Sequence, residues 1–248
     1  MHTPYLSFLL MVLTYITIII FSIGVARKII QWLTGESGKK RREKITLRQK
    51  LKILGWILKN IFIEFLTFKR IFQKDVKTWI TAIVFHVSLI LIFIGHLRLF
   101  GLLSILNSFL AGIPLEIISM ILGLLFTFSL LGFILRRIFL KNIRFLSIWI
   151  DYVVLSILFI KAVLGTSLRI FSYFFEINRK IEITLIPSLI TIHAESISNV
   201  DLLYLHIFFA ELFIMFIPFS NLLHIILSPI SFFLYYLKDP RFNWWKNE

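Results

Sequence analysis

The chain has no cysteine. Thiolate-held iron–sulfur clusters, disulfides and covalent c-type haem attachment through C-x-x-C-H are therefore excluded for this chain. Any redox cofactor must be held by other ligands. Charge is also scarce: Asp, Glu, Lys and Arg make up 16% of the 248 residues. No polar stretch is long enough to bury a core of its own, so no soluble domain is expected. No internal repeat or low-complexity segment stands out.

Apolar residues are what the chain does contain. They make up 58% of it, and the mean hydropathy is +0.90. This composition predicts an all-α, polytopic membrane helical bundle, a single membrane domain over 1–248. Five apolar segments reach the ~20 residues a bilayer requires: about 5–25, 79–100, 113–135, 146–172 and 201–228. The first reads as a retained span and not a signal peptide. Its apolar run is long, no basic residue precedes it and no small-x-small site follows it. Residues 27–78 form a basic loop. Its second half, "ILGWILKNIFIEFLTFKRIFQKDVK", is interrupted by Lys59, Glu64, Lys69 and Arg70 and reads as an amphipathic helix lying in the interface.

Basic residues orient the chain. Residues 27–77 hold 15 Lys and Arg, 136–144 hold four and the tail 238–246 holds three, whereas the opposite side holds Arg98, Arg169, Arg179 and Lys180. The positive-inside rule then predicts the N-terminus outside and the C-terminus in the cytoplasm, in the cell (inner) membrane. The formal charge of +14 is thereby a property of the cytoplasmic face, and no nucleic-acid partner is implied.

Six histidines occur. His2 is terminal and His193 lies in the outer loop 173–200, with no role assigned to either. The other four fall in spans, where an unpartnered polar side chain is costly. His86 and His96 lie in the second span, His206 and His224 in the fifth. The second span runs outward and the fifth inward. His86 therefore shares a depth with His224, and His96 with His206. Two imidazoles from facing helices at one depth are what bis-histidine ligation of haem b requires, so two haems b are predicted, with these four histidines as iron ligands. His206 and His224 share a face at ~100° per residue, and His86 and His96 lie ~80° apart. Their separations differ, at ~27 Å and ~15 Å, and a kink at Pro218 is expected to reduce the mismatch. A histidine proton relay in a non-redox membrane subunit is the alternative.

At these residues the sequence resembles the gamma subunit of respiratory nitrate reductases. The resemblance rests on "FH" and "GH" in the second span and on two histidines 18 apart in the last. It is closer to the DsrM-type membrane subunit of the sulfite-reductase-associated Dsr complex. The methanogen heterodisulfide reductase cytochrome subunit is a further relative. The stretches that carry it are "IEFLTFKRIFQKDVKTW", "GHLRLF", "LSIWIDYVVLSILFIKAVLGTSLRIF" and "IPFSNLLHIILSP", covering most of 55–230. The resemblance implies an inner haem on His86 and His224 and an outer haem on His96 and His206. It also implies menaquinol (menaquinone when oxidised) as the lipid-soluble carrier. The implied partner is a cytoplasmic, heterodisulfide-reductase-like iron–sulfur subunit, with other membrane or periplasmic subunits in the same complex. The chain is then the cytochrome b subunit of a quinol-linked oxidoreductase in sulfur-metabolism respiration. A nitrate reductase gamma subunit proper is the nearest alternative.

The remaining charges leave choices open. Lys161 and Glu211 sit at similar depth in spans four and five, either as an ion pair or as candidates for a quinol site. Arg98 and Arg169, at outer span ends, either partner haem propionates or snorkel to the interface. Arg136 and Arg137 pose the same choice at the inner haem. Asp151 either caps span four or meets the basic loop.

Overall fold

The computed structural model describes residues 3–34, 55, 67–99, 115–175, 201–220 and 222. Among these the chain is all-helical: α1 (Thr3–Thr34), α2 (Lys69–Lys74), α3 (Val76–Leu99), α4 (Leu115–Phe139), α5 (Lys141–Leu146), α6 (Trp149–Phe175), α7 (Asp201–Phe216) and a 3₁₀ turn, η1 (Ile217–Phe219). Five helices, α1, α3, α4, α6 and α7, are long and apolar enough to cross a membrane. They match the five expected segments. The expected interfacial helix lies largely outside the described residues, where only its short end, α2, is seen. Of the last expected segment, 201–228, the part from 223 on lies outside the described residues, and a kink was expected at Pro218. The segment's α-helix stops at Phe216, and Pro218 sits in η1, because proline has no N–H to continue the ladder and its ring clashes with the preceding turn.

The helices form an arc, α3–α4–α6–α7–α1, each packed on the next. Large apolar side chains such as Leu9, Phe93 and Phe128 point outward, whereas buried positions include Ser7, Thr17, Ser88, Ser129 and Thr166. That inversion suits hydrocarbon, where helices associate through small residues and interhelical hydrogen bonds. Gly123 on α4 is where Thr166 of α6 comes close, since a Cβ there would lie 2.7 Å from its Oγ1. The Thr127 and Thr166 hydroxyls meet at 3.2 Å. An apolar core of Phe85, Phe126, Leu130, Leu155, Leu158 and Ala162 fills the α3–α4–α6 junction.

The α1–α7 contact fixes a direction. Ser7 Oγ lies 2.8 Å from Tyr204 Oη, and Thr14 hydrogen-bonds Glu211. Both pairs are 197 residues apart, and a constant offset means the two helices run parallel. Further along, a Cβ on Gly24 would lie 2.5 Å from Pro218 Cβ, so glycine lets the two backbones approach there.

Charges tie one end of the bundle together. Asp75, ahead of α3, accepts from the backbone N–H of Lys77 (3.1 Å) and Thr78 (3.3 Å) and from the Thr78 hydroxyl, and it lies 3.5 Å from Arg136 Nη2. Arg137 Nη1 lies 3.4 Å from Asp151 Oδ2, and the same oxygen accepts the Ile148 N–H at 3.3 Å. Asp151 thus does both things the sequence left open. It caps the start of α6 and meets the basic segment. Arg136 and Arg137 each have a carboxylate partner here, which accounts for them without a propionate.

The Thr78 hydroxyl, then the Thr78 N–H, hold the Asp75 carboxyl below the usual carboxylate range, and Arg136 adds to this. A carboxyl lowered by folding stabilises above its unfolded pKa, and that contribution is lost as pH falls through the lower folded value. Acid unfolding curves should therefore show a step in the wild type, below the ordinary aspartate range, that is missing in Asp75→Asn.

Candidate functional site

The site is built on α3, α6 and α7. Among the described residues α3 and α7 do not pack along their lengths, yet each carries a histidine toward the other. The rings of His96 and His206 have centroids 6.3 Å apart and planes inclined by 24°. The depth argument expected these two to meet, and the structure brings them together.

Each ring is held through Nδ1. His96 Nδ1 donates to the Ile92 carbonyl, one turn back, at 2.8 Å. His206 Nδ1 donates across the bundle to the Lys161 carbonyl at 3.0 Å. A carbonyl can only accept, so the hydrogen is on Nδ1 in both rings and the lone pair is on Nε2. This is the tautomer in which a metal-ligating histidine is usually locked by its outer hydrogen bond. Two metal–nitrogen bonds of about 2 Å each, in line through two imidazoles, would put the ring centroids roughly 6 Å apart. The donor set and separation would allow His96 and His206 to hold one metal centre between the two helices.

The cross-bundle bond depends on a residue that sequence reasoning did not single out. A Cβ on Gly165 would lie 2.7 Å from His206 Cε1 and 3.1 Å from its Nδ1. Gly165 sits one turn after Lys161, so the missing side chain is what lets the ring reach that carbonyl. The available signal was a glycine four residues after a buried lysine, inside an apolar helix.

The second pair is half visible. His86 Nδ1 lies 2.7 Å from the Ala82 carbonyl, which again puts the lone pair on Nε2. The Phe85 ring lies 4.9 Å from the His86 ring and Phe68 4.7 Å. Phe68 takes a left-handed backbone, φ 48°, which is uncommon for a bulky residue. His224, and with it the pairing expected for His86, lies outside the described residues.

Lys161 and Glu211 do not form the ion pair considered from sequence. Lys161 Nζ lies over the Phe213 ring, 5.7 Å from its centroid, a cation–π arrangement. Glu211 turns to the other side of α7 and meets Thr14 of α1. Helix rotation points the two groups at different neighbours. Arg169 lies on α6, one turn after Gly165. The Arg98 side chain lies outside the described ones.

Two outcomes follow from this packing. Gly165→Ala should destabilise by about 1–3 kcal/mol, the range for overpacking, and most of that loss should vanish in a His206→Ala background, as measured by unfolding in detergent. Lys161→Met and Glu211→Gln should add, with a coupling below about 0.5 kcal/mol in a double-mutant cycle, where an ion pair would give a larger one.

Two comparisons with known proteins place the chain among relatives. The nitrate reductase gamma subunit family matches residues 71–240, a range that holds both histidine-bearing spans. The chain is also 28% identical over 252 aligned residues to the Hdr-like menaquinol oxidoreductase cytochrome b-like subunit of Archaeoglobus fulgidus, covering 86% of this chain and 74% of that protein. A five-helix apolar arc with facing imidazoles on its second and fifth spans is thus a member of the nitrate reductase gamma subunit family.

Proposed function

We propose that this chain is the di-haem cytochrome b subunit of a menaquinol-linked oxidoreductase, embedded in the cell membrane with its N-terminus outside. In this reading His96 and His206 hold the outer haem, and His86 and His224 the inner one. The observation that carries it is the His96–His206 pair, 6.3 Å apart, with both Nδ1 atoms committed to carbonyls. The relative named as a menaquinol oxidoreductase cytochrome b-like subunit supports the carrier.

A haem with two histidine ligands has no open position, so it supplies one-electron transfer and no oxygen activation. The chain's own residues do the rest. Nδ1 bonds to Ile92 and Lys161 fix the ring planes, and the apolar walls of α3 and α7 exclude water. Lys161, whose carbonyl holds His206, carries its Nζ over Phe213, two turns along α7 from that histidine. It is the residue we assign to bind a quinol oxygen there. Arg169, one turn after Gly165 on α6, and Arg98, near the outer end of α3, are suited to propionate carboxylates.

Quinol oxidised at the outer haem would release its protons outside while electrons pass inward to the inner haem. The cysteine-free chain needs an iron–sulfur partner to receive them, and we assign a cytoplasmic, heterodisulfide-reductase-like subunit. The name of the Archaeoglobus relative favours that partner over a nitrate-reducing one.

The purified protein should give reduced-minus-oxidised bands of two low-spin haems b. His96→Ala and His206→Ala should remove one and the same component, and His86→Ala the other. Absence of haem, ready carbon monoxide binding, or loss of different components in His96→Ala and His206→Ala would overturn the assignment. Lys161→Met should keep both haems but lose most of the stopped-flow reduction of the outer one by menaquinol analogues.

A further inference from the structure

The α1–α7 seam contains a hydrogen-bond count that a proton on Glu211 closes. Thr14 Oγ1 lies 3.0 Å from the Leu10 carbonyl and is also in hydrogen-bond contact with Glu211 Oε1. A hydroxyl has one hydrogen. The carbonyl can only accept, and so can an ionised carboxylate. Two acceptors and one hydrogen leave one contact unmade. A proton on Glu211 resolves it: Oε1–H donates to Thr14 Oγ1, and Thr14 donates to Leu10.

The surroundings agree with a neutral acid. Glu211 is 6% exposed, and among the described residues its Oε2 is buried without a hydrogen-bond partner. Among the described residues, no cation faces it. On α1 the facing groups are hydroxyls, Thr14 and Thr17. Tyr15 is turned outward, and Arg27 and Lys28 lie on the order of 20 Å further along the helix. On α6, Lys161 turns to Phe213, Arg169 lies one turn after Gly165, and Asp151 is paired with Arg137 at the far end. On α7, Tyr204 bonds Ser7, and His206 and Asp201 lie one to three turns away. η1 carries no titratable group. Thr17 Oγ1, one turn along the same face of α1 as Thr14, is likewise buried without a partner among the described residues.

We propose that Glu211 is a proton-storing carboxylic acid whose loading follows the charge held between His96 and His206. This rests on the haem reading above. Glu211 is five residues from His206, a rise of about 7.5 Å, close enough for charges to couple strongly in a low-dielectric interior. A net positive centre between the histidines favours the carboxylate. A neutral one favours the acid. A quinol would give up its two electrons one at a time, and with each electron received by a centre that His96 and His206 would hold, and passed on before the next, Glu211 Oε1 would take one proton from water. Oxidation reverses both, so the net charge of the bilayer interior is unchanged.

The test has two arms on the purified, haem-loaded protein. Reduced-minus-oxidised infrared spectra should show the carbonyl band of a protonated carboxyl gained on reduction. It should shift in D₂O, move in Thr14→Val and be absent in Glu211→Gln. In redox titrations at several pH values, the outer haem potential should fall with rising pH as one proton per electron. That slope should be lost in Glu211→Gln and kept in Glu211→Asp. A band that persists in Glu211→Gln, or a wild-type potential independent of pH, overturns the proposal. If Glu211→Gln does not fold, Thr14→Val decides: an unmoved band assigns the proton elsewhere. Failure of the haem reading is distinguishable, since it shows first as missing haem bands. The absolute infrared spectrum then still tests the neutral acid, and a missing carboxyl band would overturn it.

Discussion

Hydrocarbon offers no hydrogen-bond partner, and the rest of this structure depends on that constraint. Each polar group placed inside the arc must find its complement on another helix or one turn back on its own. Ser7 meets Tyr204, Thr127 meets Thr166, and His206 reaches the Lys161 carbonyl. The helices are apolar around most of their circumference, so apolar burial does little to choose their neighbours. These few polar contacts, with the glycines that permit them, set which helix lies beside which.

The histidine pair gains its chemistry from the same constraint. Two imidazoles with Nδ1 committed to carbonyls present Nε2 lone pairs in fixed directions. One of those carbonyls belongs to α6, a helix that carries neither histidine. The site is thus a three-helix object. α3 and α7 supply the rings, and α6 supplies both the anchor at Lys161 and the space at Gly165. A change on α6 can disturb the pair without touching a histidine.

The two ends of the bundle are organised differently. Near one end, Asp75, Arg136, Arg137 and Asp151 lock the starts of α3 and α6 to the end of α4. Near the other, α3 and α7 face each other across the imidazoles.

Much was legible without coordinates. Length and apolarity gave the five spans, because a bilayer demands about 20 such residues. Opposed span directions placed His96 level with His206, because a helix rises a fixed ~1.5 Å per residue. The break at Pro218 followed from proline's missing N–H. Side-chain direction around a helix axis was not legible. Depth put Lys161 level with Glu211, but only the packing of α1 against α7 and of α6 against α7 turned one to Phe213 and the other to Thr14. Asp151 could not be assigned from sequence because its partners, Ile148 and Arg137, become neighbours only when α6 folds back on α4. Gly165 was invisible for the same reason: an absent side chain has meaning only once another helix presses against it. Rise and hydropathy are properties of one segment, and the sequence determines them. Rotation and neighbour identity are properties of pairs of segments, and only tertiary packing decides them.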